Sequence, residues 1–69
     1  MKRTALIKKV RAAARAAGLA FEVTGGGDHD KVVVGTHEVP VPRHAEINEL
    51  TARAIFKRLE KELGEDWWR

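Results

Sequence analysis

Cysteine is missing from this 69-residue chain, tyrosine is missing too, and its first 19 positions hold no acidic side chain. Without cysteine there are neither disulfides nor thiolate metal sites, and a chain with no disulfide framework is expected in the cytoplasm. No apolar run is long enough for a signal peptide or a membrane-spanning helix. Length sets a further bound. A chain of this size forms one domain, 1–69, and buries only about 60% of the surface that it exposes when unfolded. That leaves little material for a deep pocket. A shallow surface site, of the kind that reads polymers, fits the size better.

The net charge of +3 is modest, and its distribution says more. Lys2, Arg3, Lys8, Lys9, Arg11 and Arg15 crowd the acid-free first segment. The middle of the chain sets Glu22, Asp28, Asp30, Glu38, Glu46 and Glu49 against Lys31 and Arg43. Such asymmetry points to one side that faces a polyanion. A solvated helix face would give the same composition.

Apolar residues at Leu6, Ile7, Val10, Ala14 and Ala17 make one helical stripe. Thr4 is the expected cap and Gly18 the stop. Lys8, Arg11 and Arg15 fall on the opposite side, so the helix has an apolar floor and a basic roof. Residues 19–24 alternate and predict a strand with Phe21 and Val23 inward. Lys31-Val32-Val33-Val34 predicts a second strand, and Gly35-Thr36 a tight hairpin turn. A third strand follows over 36–41, and Pro40 implies that it lies at a sheet edge or ends early. Asn48 caps a last helix that continues to Leu63, with a stripe at Ala52, Ile55, Phe56, Leu59 and Leu63 and with Gly64 as its end. The order is helix, three antiparallel strands, helix: an α+β sandwich with both helices on one sheet face. Trp67 and Trp68 are expected to pack rather than to stack on bases.

Two clusters carry candidate chemistry. Gly25-Gly26-Gly27-Asp28-His29 joins a backbone without Cβ atoms, which lets amides approach a ligand, to an imidazole that titrates near neutral pH. Pro42-Arg43-His44 adds a second imidazole and a guanidinium that suits phosphate. On the residues alone, His29 is an acid–base candidate or an ordinary exposed turn residue. Arg43 is a phosphate ligand or the partner of Glu46 in a surface ion pair. His44 is a second acid–base group, an RNA contact or a cap. His37 has no assigned role. Asp28, His29 and Asp30 are consecutive, and consecutive residues rarely converge on one ion, so no metal or other cofactor is expected.

The order of elements is similar to the double-stranded-RNA-binding-domain fold. The stretch Pro42-Arg43-His44-Ala45-Glu46-Ile47, continued by Thr51-Ala52-Arg53-Ala54-Ile55, resembles a segment of the HicA family, the mRNA-cleaving toxins of HicA–HicB toxin–antitoxin systems. The resemblance covers nearly the whole chain, including the helix end at Gly18-Leu19 and the Gly-rich turn with His29. It implies an endoribonuclease with His29 as the catalytic histidine, RNA and a HicB-like antitoxin as partners, and no metal. Lys31, Arg43, His44, Lys8, Arg11 and Arg15 are the expected RNA contacts. The chain departs from the family at Asp28 and Asp30, whose carboxylates would repel phosphate, and at Leu50, where many relatives have glycine. The alternative is a noncatalytic RNA-binding module on the same fold. Against it, Glu46 and Glu49 stand near the start of the last helix, where duplex-binding modules place basic residues.

Overall fold

A computed structural model describes residues 1–27 and 29–69; Asp28, expected beside His29, lies outside the described residues. The chain forms α1 (Arg3–Ala16), β1 (Phe21–Thr24), β2 (Asp30–Val34), β3 (His37–Val41), α2 (Glu49–Arg58) and a single turn, α3 (Glu60–Leu63). The three strands are antiparallel in the order β1-β2-β3. This is the small α+β domain that the sequence predicts.

The first helix starts without help from Thr4. Its cap is Lys2, with no side-chain bond. The backbone of residues 1–3 runs beside the segment that leads into α2: the Arg3 amide donates to Ala45 O at 2.9 Å, and the Ile47 amide to Met1 O at 2.7 Å. A neighbouring carbonyl thus satisfies one of the first-turn amides that have no partner within the helix. At the other end Gly18 takes φ +71°. Its amide reaches Arg15 O and that of Leu19 reaches Ala14 O, at 3.0 and 2.9 Å, which is the Schellman closure. Leu19 is consumed by this closure, so β1 begins two residues later than the alternation suggests.

Leu6, Val10 and Ala14 of α1 meet Val32, Val34, Val39 and Val41 of the sheet and Ala52, Ile55, Phe56 and Leu59 of the second helical segment. Both helices cover the same sheet face. Pairing sets Phe21 against Val34 and Val23 against Val32, so Val23 does point to the helical side. It is nevertheless 41% exposed, because it lies on an edge strand beyond the cover of the helices. The other sheet face is open and carries Glu22, Lys31, Glu38 and Pro40, all exposed. Pro40 sits on the β3 edge, where a missing amide costs no ladder bond. Gly35 has φ +61° at the first central position of the hairpin turn.

Asn48 caps α2 as expected, its Oδ1 accepting from the Leu50 amide at 2.8 Å. The helix then breaks at Leu59 instead of running on to Leu63. At the break the Trp67 indole donates to the Phe56 carbonyl at 2.9 Å. A side chain that takes a carbonyl of the ladder is a known cause of such interruptions. Gly64, at φ +98°, turns the chain back. Trp67 and Trp68 then close on Phe56, edge-on at 5.3 Å and stacked at 5.7 Å. Both tryptophans therefore pack, as expected. Among the described residues no helix is long and apolar enough to cross a membrane.

Candidate functional site

One end of the sheet gathers the chemistry. Asp30 opens β2 opposite Val41, which closes β3. The Gly-rich turn that precedes β2, the loop 42–44 that follows β3 and the start of α1 all meet there. His29 sits in a bend just ahead of β2 and is exposed. Among the described residues its side chain has no hydrogen bond or ion pair, and the same holds for exposed His44.

Asp30 organises this end. Its Oδ2 accepts from Arg3 Nη2 at 2.6 Å and its Oδ1 from Arg43 Nε at 3.0 Å. Arg3 Nε also donates to Pro42 O at 3.0 Å, and Arg43 Nη2 to Gly27 O at 3.3 Å. The Asp30 and Arg3 side chains retain only about a fifth of their exposure, whereas Arg43 keeps half. Gly25 contributes by what it lacks: a Cβ there would stand 3.3 Å from Asp30 Oδ1. The first glycine of the run makes room for this carboxylate. Asp30 is thus not a bare charge set against phosphate, since two guanidiniums surround it. Arg43 pairs with Asp30 rather than with Glu46, whose Oε2 lies 3.2 Å from the Met1 amine.

The remaining expected contacts lie elsewhere. Lys31 alternates with buried Val32 and therefore points from the open sheet face, where its Nζ is 3.6 Å from Glu38 Oε2. Such an exposed pair contributes ~0–1 kcal/mol. Strand parity does not carry from Lys31 to His29, because His29 precedes the strand. Lys8, Arg11 and Arg15 are exposed on the outer side of α1, where with Ala12 they line a shallow cleft of about 370 Å³. At ~1.5 Å rise per residue, Arg15 lies roughly 18 Å along the axis from Arg3. A mononucleotide cannot reach from the Asp30 cluster to Arg15; a polymer can. The six expected RNA contacts therefore fall on three surfaces, and only Arg43 and His44 share the end that holds His29.

Arg3 is the participant that sequence reasoning passed over, since it looked like one more cation of a basic helix. Its pairing with Asp30, 27 residues away, has no spacing signal. Among the described residues no group of acidic and histidine side chains has the arrangement of a metal site.

In comparisons with known proteins, the chain matches no family model, no curated protein and no solved structure. Its class is therefore defined by architecture: a small α+β domain, helix–three-stranded antiparallel sheet–helices.

Proposed function

We propose that this domain is a metal-independent endoribonuclease of the HicA kind, which cleaves mRNA in the cytoplasm and is held silent by a HicB-like antitoxin. The observation that carries the reading is the exposed His29 next to Asp30 in the chain, at the end of the sheet where Arg43 is bonded both to Asp30 and to the Gly27 carbonyl of the preceding turn. The resemblance in the segments 42–47 and 51–55 adds the family and the partner. In the reaction a ribose 2′-oxygen attacks the adjacent phosphorus and the 5′-oxygen leaves. A base takes the 2′-hydroxyl proton and an acid returns one to the leaving oxygen. His29 serves as one of these groups. Arg43 supplies fixed positive charge where charge builds on phosphorus, and His44 binds the strand nearby.

Digestion of a defined RNA in excess chelator tests the chemistry. The expected result is undiminished cleavage with 2′,3′-cyclic or 2′/3′-phosphate ends, and no cut where the attacking sugar is 2′-deoxy. Metal dependence, or 5′-phosphate ends from water attack, would overturn the mechanism.

The cleft of Lys8, Arg11 and Arg15 gives the binding surface, and it would serve a noncatalytic RNA-binding module equally well. Single-strand affinity falls with salt with a log–log slope of about −0.7 per phosphate neutralised. Replacing all three cations by alanine should therefore make the slope shallower by about 2. An unchanged slope would show these cations to be merely solvated.

A further inference from the structure

We infer that Asp30 is a positioning residue for the cleavage reaction, acting through Arg43; the inference rests on the ribonuclease reading of His29. Three features support it. The carboxylate is a bridge rather than one half of a pair, since each oxygen serves a different guanidinium, at 2.6 and 3.0 Å. One of those guanidiniums, Arg43, also holds the Gly27 carbonyl at 3.3 Å, so the same contact set ties the loop 42–44 to the turn that leads to His29. Finally, the turn backbone lies close over the carboxylate: a Cβ at Gly25 would stand 3.3 Å from Oδ1, so that a methyl group there would require the carboxylate to shift by a few tenths of an ångström.

The consequence for Arg43 is orientation. Its Nε and one N–H of Nη2 are engaged, which is the side-on edge of the fork. Nη1 and the second N–H of Nη2 make the end-on edge, and the side chain is half exposed. Arginine presents five N–H donors in a rigid plane, so fixing one edge fixes the direction of the other. Two guanidiniums and one carboxylate leave the cluster with a charge of +1. The acid beside His29 therefore aims a phosphate ligand without cancelling it. Arg3 anchors the opposite side of the bridge to α1 and to Pro42, and its share in the cluster is structural.

The test is a double-mutant cycle on the purified chain with a defined single-stranded RNA. It reads kcat, KM and denaturation midpoint for wild type, Asp30→Ala, Arg43→Ala and the double variant. Asp30→Ala is expected to lower kcat about as far as Arg43→Ala, by about 10²-fold, the loss that a small misplacement of a reacting group produces. The double variant should be no slower than Arg43→Ala alone. Stability should behave differently, since Asp30→Ala also releases Arg3 and lowers the midpoint in either background. Asp30→Asn, nearly isosteric, replaces Asp30→Ala if the latter does not fold. Losses in kcat that multiply in the double variant, or an Asp30 variant with wild-type kcat, overturn the inference while the ribonuclease reading stands. A folded wild type that cleaves no RNA overturns the reading itself, and the inference with it.

Discussion

His29→Ala should abolish RNA cleavage and growth inhibition while leaving the fold intact. Removing a general acid or base costs about 10²–10⁴-fold in rate, and a toxin slowed by that factor no longer arrests its host. The fold should survive because His29 is exposed in a bend and is absent from the core. The measurement is cleavage of a defined RNA together with induced expression in a bacterium, at matched protein levels. Full toxicity in the variant would remove His29 from the mechanism. Normal growth under wild-type expression, with RNA binding retained, would favour the noncatalytic module instead.

Leu59→Ala should remove about half of the stability of the chain. Leu59 is completely buried, and a leucine-to-alanine change in a core costs about 2–5 kcal/mol. A chain of 69 residues has roughly 3–10 kcal/mol of total stability, at ~0.05–0.15 kcal/mol per residue. Position raises the cost further. Leu59 joins α2 to α3, and its amide donates to both Ile55 O and Phe56 O, at 3.3 and 3.1 Å. The cavity therefore opens at the bend, just where the Trp67 indole holds the same Phe56 carbonyl. Circular dichroism against denaturant gives the answer: a midpoint within a few tenths molar of wild type would mean that the site collapses around the loss.

The stripes were readable because periodicity reports which side of an element faces inward. Leu6, Val10 and Ala14 are buried as their spacing says, and Asn48 and Gly18 end their helices by local chemistry alone. Periodicity does not report whether anything covers that side, which is why Val23 faces inward and still meets water. The break at Leu59 was hidden because its partner, the Trp67 indole, arrives from the far side of a glycine turn. In the site, the exposed His29 and its turn were legible, whereas the role of Asp30 was not. Next to a histidine in the sequence it reads as a repelling charge. Only the antiparallel pairing that sets Asp30 opposite Val41 brings the loop 42–44, and with it Arg43, to its side. Lys31 shows the converse: close in sequence to His29, it belongs to the open sheet face.

That open face has a further effect, felt before any contact is made. It carries Glu22 and Glu38 against Lys31, while the helices carry Lys8, Lys9, Arg11, Arg15, Arg53, Lys57, Arg58 and Lys61 against Glu49, Glu60 and Glu62. The charge of the domain is thus separated across its thickness, and the molecule has an electrical front and back. In the field of a polyanion it experiences a torque as well as an attraction, within a range of ~10 Å at 0.1 M salt. Encounters are sorted by orientation during approach, so the helical side arrives first and the open sheet arrives last.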